Sequence, residues 1–301
     1  MKFSSGIASL ALLATAVKGS PLRRADPPTD IDILNFALTL EHLENAFYAQ
    51  GLSKFSAQDF ANAGLPDWTY GRIQQVAAHE ATHVKFLESA LGPQAVQACD
   101  YSFPYTDPKS FLVVSHALES VGDSAYMGAA KFIQNKDYLL AAATILSVEA
   151  RHSAWLESAV RKGSAWNTAF DTPLDLNQVY TLASAFITAC PSTNPKLPVT
   201  AYPALTVDSA SPGQTATLHF SAPDGFDKSL KLYGAFLNGQ NAYVVPLGDN
   251  WTVTVPPGLL GTTYLVVTTD ADGVSDDKTI AGPAMLDFPF NSAGDQEVLW
   301  F

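Results

Sequence analysis

The sequence predicts an α+β protein of two domains: a four-helix bundle with a fifth helix, followed by a small β-sandwich. Three observations predict it. Apolar residues recur with helical spacing from Thr29 to Cys190, short β-branched runs take over after "PSTNPKLP", and seven of the eight glutamates lie before residue 160. The change of period sets the layout, and the glutamates place the carboxylate chemistry in the helices. With 301 residues, 47% of them hydrophobic and 15% charged, the chain is long enough for two cores and globular in composition. A net charge of −12 argues against a nucleic-acid partner, since no basic patch is there to neutralise phosphates.

The elements follow in order. "MKFSSGIASLALLATAVKGS" carries an early lysine, an apolar stretch from Ile7 to Val17, and then small residues. It reads as a cleaved secretory signal, too short to span a bilayer. Arg23-Arg24 in "PLRRADPP" reads as a dibasic processing site. Residues 1–24 are therefore expected to be signal peptide and short propeptide, 25–192 the bundle, and 193–301 the sandwich. No later run is apolar enough for a membrane span, so a secreted protein, extracellular or in the cell wall, is expected.

The first helix, "TDIDILNFALTLEHLENAFYAQG", opens on a capping residue and is expected to close at Gly51. The second, "DWTYGRIQQVAAHEATHVKFLESALGP", ends at Gly92-Pro93. "DPKSFLVVSHALESVGDSAYMGAAKFIQ" opens with a cap and a proline at the first helical position. "DYLLAAATILSVEARHSAWLESAVRKG" ends in basic residues and Gly163, as helix C-termini favour. "DLNQVYTLASAFITAC" is the fifth. Cys99 and Cys190 each fall just beyond a predicted helix, and an even count in an exported chain predicts a disulfide. Such a bridge would staple two helix ends and contribute about 2–4 kcal/mol. The runs "QTATLHFSA", "NAYVVPLG", "NWTVTVPP" and "TTYLVVTTDADG", separated by Gly, Pro, Asn and Asp, predict a sandwich of immunoglobulin-like type. Asn250-Trp251-Thr252 is a glycosylation sequon in a turn.

The helices contain one pair twice. "EATHVKFLESAL" from Glu80 and "EARHSAWLESAV" from Glu149 are identical at seven of twelve positions. "LEHLENAFY" and "LESVGDSAY" share Leu, Glu and a tyrosine seven residues after the glutamate. The order is Glu41, Tyr48, Glu80-x-x-His83, then Glu119, Tyr126, Glu149-x-x-His152. Residues i and i+3 share a helix face, and i+7 lies two turns on, so each set points one way. Packed together, four such helices aim four carboxylates and two imidazoles at one volume. Unpaired, that cluster would take up protons, whereas two divalent cations would neutralise it. Carboxylate oxygen with imidazole suits iron or manganese.

These motifs resemble the ferritin-like superfamily, whose di-metal ligand set is Glu, E-x-x-H, Glu, E-x-x-H. The layout, an exported bundle with a β-rich tail, resembles fungal ferritin-like proteins of the late-sexual-development or stress-response type, and more distantly desiccation-related proteins. The resemblance implies Glu41, Glu80, His83, Glu119, Glu149 and His152 as ligands of two iron or two manganese ions, with Glu80 and Glu149 bridging. It implies redox chemistry with dioxygen or peroxide. A structural or non-catalytic metal-binding protein, attached to wall polymer or a surface partner through the β domain, is the alternative.

Neighbouring residues compete for these roles. Glu44 lies one turn beyond Glu41, but its counterpart in the third helix is Gly122; it and His116, three residues before Glu119, are reserve ligands. Tyr48 and Tyr126 are expected to hydrogen-bond ligating carboxylates across the bundle. Glu88 and Glu157 are expected to be solvated helix-end residues, and Phe86 and Trp155 core. His79-Glu80-x-x-His83 also fits the zinc-protease pattern, with Glu119 as a conceivable third ligand, yet Val148 replaces His79 in the second copy and no G-x-x-H extension follows.

Overall fold

The computed structural model of the chain describes residues 27–223, 225–227, 229–297, 299 and 301. The expected signal and propeptide lie outside them. Four long helices form the bundle: α1 (Asp30–Lys54), α3 (Thr69–Leu91), α4 (Pro108–Ala129) and α5 (Lys136–Trp155). A short α2 (Ala57–Asn62), absent from the sequence reading, links the first pair, and α6 (Leu176–Ser184) follows. α1 packs along α3 and α4 along α5, so the repeat seen in sequence is a repeat of antiparallel helix pairs.

The helix starts follow capping chemistry. Thr29 and Asp32 form a capping box at α1, Asp107 accepts from the amides of Lys109 and Ser110 at α4, and Asp175 with Gln178 caps α6. The ends differ from expectation in several places; α4 gives way at Ala130–Phe132 to a 3-10 turn, and α5 passes at Leu156–Val160 into a π-helical segment. α1 runs through Gly51 to Lys54, because this glycine is buried against the Phe111 ring and serves packing rather than termination. The fifth helix stops at Ser184, and the β-branched Ile187-Thr188 enters strand β2 (Ile187–Ala189), paired antiparallel with β1 (Asp100–Tyr101). Cys99 and Cys190 are bridged, and they close the end of this small ladder rather than joining two helix ends.

The sheet-rich region contains β3 (Leu205–Val207), β4 (Thr215–Phe220), β5 (Tyr233–Asn238), β6 (Asn241–Pro246), β7 (Thr252–Thr254), β8 (Gly261–Thr268) and β9 (Thr279–Phe288). They form two antiparallel sheets, ordered β3-β4-β7 and β6-β5-β8-β9. Leu218 and Val253 from the first sheet share a core with Phe236, Leu265 and Val267 from the second. Strand β8 is buried along its whole length. Leu265 and Val267 face the sandwich core, while Tyr264, on the opposite side of the pleat, enters the bundle core. Its hydroxyl lies 3.0 Å from the Ser120 carbonyl of α4 and 3.1 Å from Ser124 Oγ. One strand thus fixes the second sheet against the helix that carries Glu119.

A Cβ at Gly51 would overlap the ring of Phe111, which is fully buried. Gly51→Ala is therefore expected to cost about 1–3 kcal/mol by overpacking, read as a lowered midpoint in denaturant. An unchanged midpoint would show that the ring can move.

Candidate metal centre

Each long helix contributes from the middle of its length, where the neighbours exclude water. α1 presents Glu41, α3 Glu80 and His83, α4 Glu119, and α5 Glu149 and His152. Among the described residues, these side chains gather into two groups whose ligand atoms lie within 4.8 Å of one another. One is Glu41, Glu80, His83 and Glu149; the other is Glu80, Glu119, Glu149 and His152. Glu80 and Glu149 belong to both and stand between them. All four glutamates have 0% exposure.

Distances within the cluster are short. His83 Nδ1 is 3.1 Å from Glu80 Oε2 and 3.3 Å from both Glu41 Oε2 and Glu149 Oε1. His152 Nδ1 is 3.0 Å from Glu119 Oε2 and 3.3 Å from Glu80 Oε1. The tyrosines cross the bundle: Tyr126 Oη donates to Glu41 Oε1 at 2.6 Å, and Tyr48 Oη donates to Glu119 Oε1 while meeting Ser115 Oγ at 2.7 Å. Each tyrosine of one repeat unit thus orients a carboxylate of the other. Burial, reinforced by the neighbouring carboxylates, raises both phenols well above their usual range, so they remain donors.

The protonation of the side chains reports the electrostatic load they place on one another. Burial pushes Glu41 up to about 7 and Glu149 well above the carboxylate range, with Glu80 adding repulsion in each. For Glu80 burial is outweighed by the neighbouring imidazoles of His152 and His83, and the net shift is downward. Burial likewise disfavours charge on His83, but Glu149, Glu41 and Glu80 raise it to about 12. His152 rises to about 9 through Glu119 and Glu80 against the same burial penalty. Two protonated imidazoles therefore compensate part of the negative charge.

They do not satisfy the oxygens. Glu41 Oε2, Glu80 Oε1 and Glu149 Oε1 are buried 3.3 Å from a histidine Nδ1 without forming a well-aligned hydrogen bond, and Glu149 Oε2 has no partner among the described residues. A single Nδ1–H cannot serve the three carboxylates around it, and unpartnered buried oxygens are costly. Cations placed among them would meet all four orphaned atoms. Hard oxygen donors plus one imidazole per group fit a metal site.

The remaining candidates fall outside the two groups. Glu44 is buried beside the centre, and a Cβ on Gly122 would lie 2.9 Å from Glu44 Oε1 and 3.1 Å from Glu149 Oε2. The glycine that stands opposite Glu44 in the repeat is thus what makes room for it. Burial, then repulsion from Glu149 and Glu41, holds Glu44 well above the carboxylate range. His116 accepts from Arg161 Nη1 at 3.1 Å, and burial with the Arg161 charge lowers it to about 3. His79, in the HEATH run, belongs to neither group; its Nδ1 is 2.9 Å from His152 Nε2.

Three expectations need correction. Glu157 is buried, not solvated, because the β domain covers the end of α5; Arg161 donates to it at 2.6 Å and to Asp287 of β9 at 3.2 Å. Glu88, by contrast, is half exposed. Phe86 is 42% exposed and Trp155 only partly buried, against Trp68. The Arg161–Asp287 contact carried no sequence signal, since it joins residues from separate domains. His219 pairs with Asp208 on the sandwich surface, and Asn250 is exposed at a left-handed turn position.

Bundle and constellation together define a ferritin-like domain, and residues 29–162 match the model of that family. The chain is similar to Protein rds1 of Schizosaccharomyces pombe, with 30% identity over 179 residues, 58% of this chain and 44% of that protein. It thus spans under half the length of this curated relative. Both findings support a place among fungal ferritin-like proteins.

Glu41, His152 and His83 all hold protons more tightly in the metal-free fold than in the unfolded chain. Their contribution is present at low pH and lost as pH rises. The metal-free protein is therefore expected to lose stability from pH 4.5 upwards, through about 7 for Glu41 and about 9 for His152. Metal binding needs deprotonated ligands, so the gap between loaded and metal-free melting temperatures should widen over the same range. Melting curves with and without metal check this; a metal-free protein whose stability rises with pH would contradict it.

Proposed function

We propose that the protein is an exported ferritin-like oxidoreductase with a di-iron or di-manganese centre held by Glu41, Glu80, His83, Glu119, Glu149 and His152. The observation that carries this reading is the pair of ligand groups sharing Glu80 and Glu149, with orphaned carboxylate oxygens directed between them. When bound, the metal pair would supply redox chemistry with dioxygen or peroxide. The chain's own residues do the rest. Tyr126 and Tyr48 hold Glu41 and Glu119 in place, His79 fixes the ring of His152 from outside, and the four helices exclude bulk water. The disulfide supports an oxidising compartment, and no described helix is long and apolar enough to cross a membrane. The sheet orders support reading the C-terminal region as immunoglobulin-like, available to a wall polymer or surface partner, with a glycan at exposed Asn250.

A second reading, a non-catalytic stress or surface protein, is favoured by one observation: the two histidines already balance part of the carboxylate charge. Metal analysis decides between them. Elemental mass spectrometry of the secreted protein is expected to find about two iron or manganese ions per chain. Glu80→Ala or Glu149→Ala, each common to both groups, should lose both ions, and Glu119→Ala about one. A single zinc retained in Glu149→Ala would revive the protease motif. No metal even after anaerobic iron loading would leave the scaffold reading.

A further inference from the structure

Where α1, α4 and α6 meet β3 and β9, the structure forms a partly open cavity of about 390 Å³. Its walls are mostly apolar: Leu43, Leu118 and Val121 from the bundle, Phe186 beyond α6, and Leu205 and Met285 from the sheets. Glu44 is the one charged residue type among the lining residues, and it is buried. Gly122 lines the same cavity. A side-chain carbon there would lie within 3.1 Å of both Glu44 Oε1 and Glu149 Oε2. Its absence leaves the cavity separated from the ligand cluster by carboxylates rather than by a packed side chain.

Volume, lining and place each constrain an occupant. The volume falls within the range of about 300–1,000 Å³ usual for small-molecule sites, which favour domain junctions and apolar walls with few polar groups. A charged molecule would have to shed its hydration among leucines, valine and phenylalanine; an anion would also face the Glu44 carboxyl, and a cation would gain that one carboxyl in place of its whole hydration shell, so either is left with a cost of several kcal/mol. We propose that this cavity binds an uncharged, predominantly apolar small molecule and presents it to the Glu44–Glu149 side of the metal centre. The inference rests on the function proposed above for its second half, the juxtaposition with metal; the binding site itself does not.

The probe is 1-octanol, titrated calorimetrically into the full mature protein, against octanoate and octylammonium of the same chain length. Selective binding of the alcohol, at least about tenfold tighter than either ion, is expected from the desolvation cost of a charge. Met285→Trp fills the cavity from β9, a strand that contributes no ligand, and should weaken 1-octanol at least about tenfold, with fold verified by circular dichroism. In manganese-loaded protein, 1-octanol should alter the electron paramagnetic resonance spectrum. Equal binding of the three probes, no heat up to the solubility limit, or undiminished binding to folded Met285→Trp would overturn the cavity assignment. Should Met285→Trp fail to fold, the comparison of the three probes on the unaltered protein still decides. Selective alcohol binding in a protein that takes up no metal would support the site and sink the metal reading. Selective binding with an unchanged manganese spectrum would support the site and overturn its juxtaposition with the metal.

Discussion

Four carboxylates forced into one dry volume are the constraint around which the helical half of the molecule is arranged. Glu41, Glu80, Glu119 and Glu149 come from four different helices, and none is exposed to water. Left bare, they would repel one another and take up protons, as the raised positions of Glu41 and Glu149 record. The fold tolerates the cluster through two kinds of support. Histidines from α3 and α5 insert positive charge from inside, and tyrosines donate hydrogen bonds from behind. Orphaned oxygens persist despite both, and that residue of unsatisfied charge is what makes a metal centre the economical reading.

The same molecule contains a comparison. His116, Glu157 and Asp287 form a third group with ligand atoms in reach of one another. There the chain provides its own cation: Arg161 Nη1 contacts His116, Glu157 and Asp287 together. A fixed guanidinium cannot be displaced by pH and needs no external ion. At the central cluster the cationic partners are histidines, which must give up their protons before a metal can bind. One cluster holds a permanent cation of its own, though Glu157 Oε1 stays without a hydrogen-bond partner among the described residues, and the other is left exchangeable.

Much of this was legible in the sequence, and the reason is periodicity. The i, i+3 spacing within Glu80-x-x-His83 and Glu149-x-x-His152 fixes a shared face whatever the tertiary structure, so convergence followed from helix geometry and the internal repeat. The change of period after the bundle announced the sheets. What escaped was anything decided by contacts between distant segments. Gly51 reads as a stop until Phe111 is seen lying against it, and Glu157 reads as solvated until β9 covers it. Ile187-Thr188 looked helical because the apolar spacing continued, but strand pairing with Asp100–Tyr101 offered those β-branched residues a better place.

The β domain is more than an appendage in this arrangement. Tyr264 reaches the carbonyl of Ser120, the residue next to Glu119, and Arg161 ties the end of α5 to β9. Both contacts lie on the helices that carry Glu119, Glu149 and His152, so the second unit of the repeat is braced from outside. The first unit, α1 with α3, lacks such contacts among those described and has instead the apolar cluster of Leu34, Leu38, Val84 and Leu87. An internal repeat whose halves are stabilised by different neighbours need not remain symmetric. Glu44 beside Gly122 is where that asymmetry reaches the centre: one unit carries an additional carboxyl, and the other has surrendered its side chain to admit it.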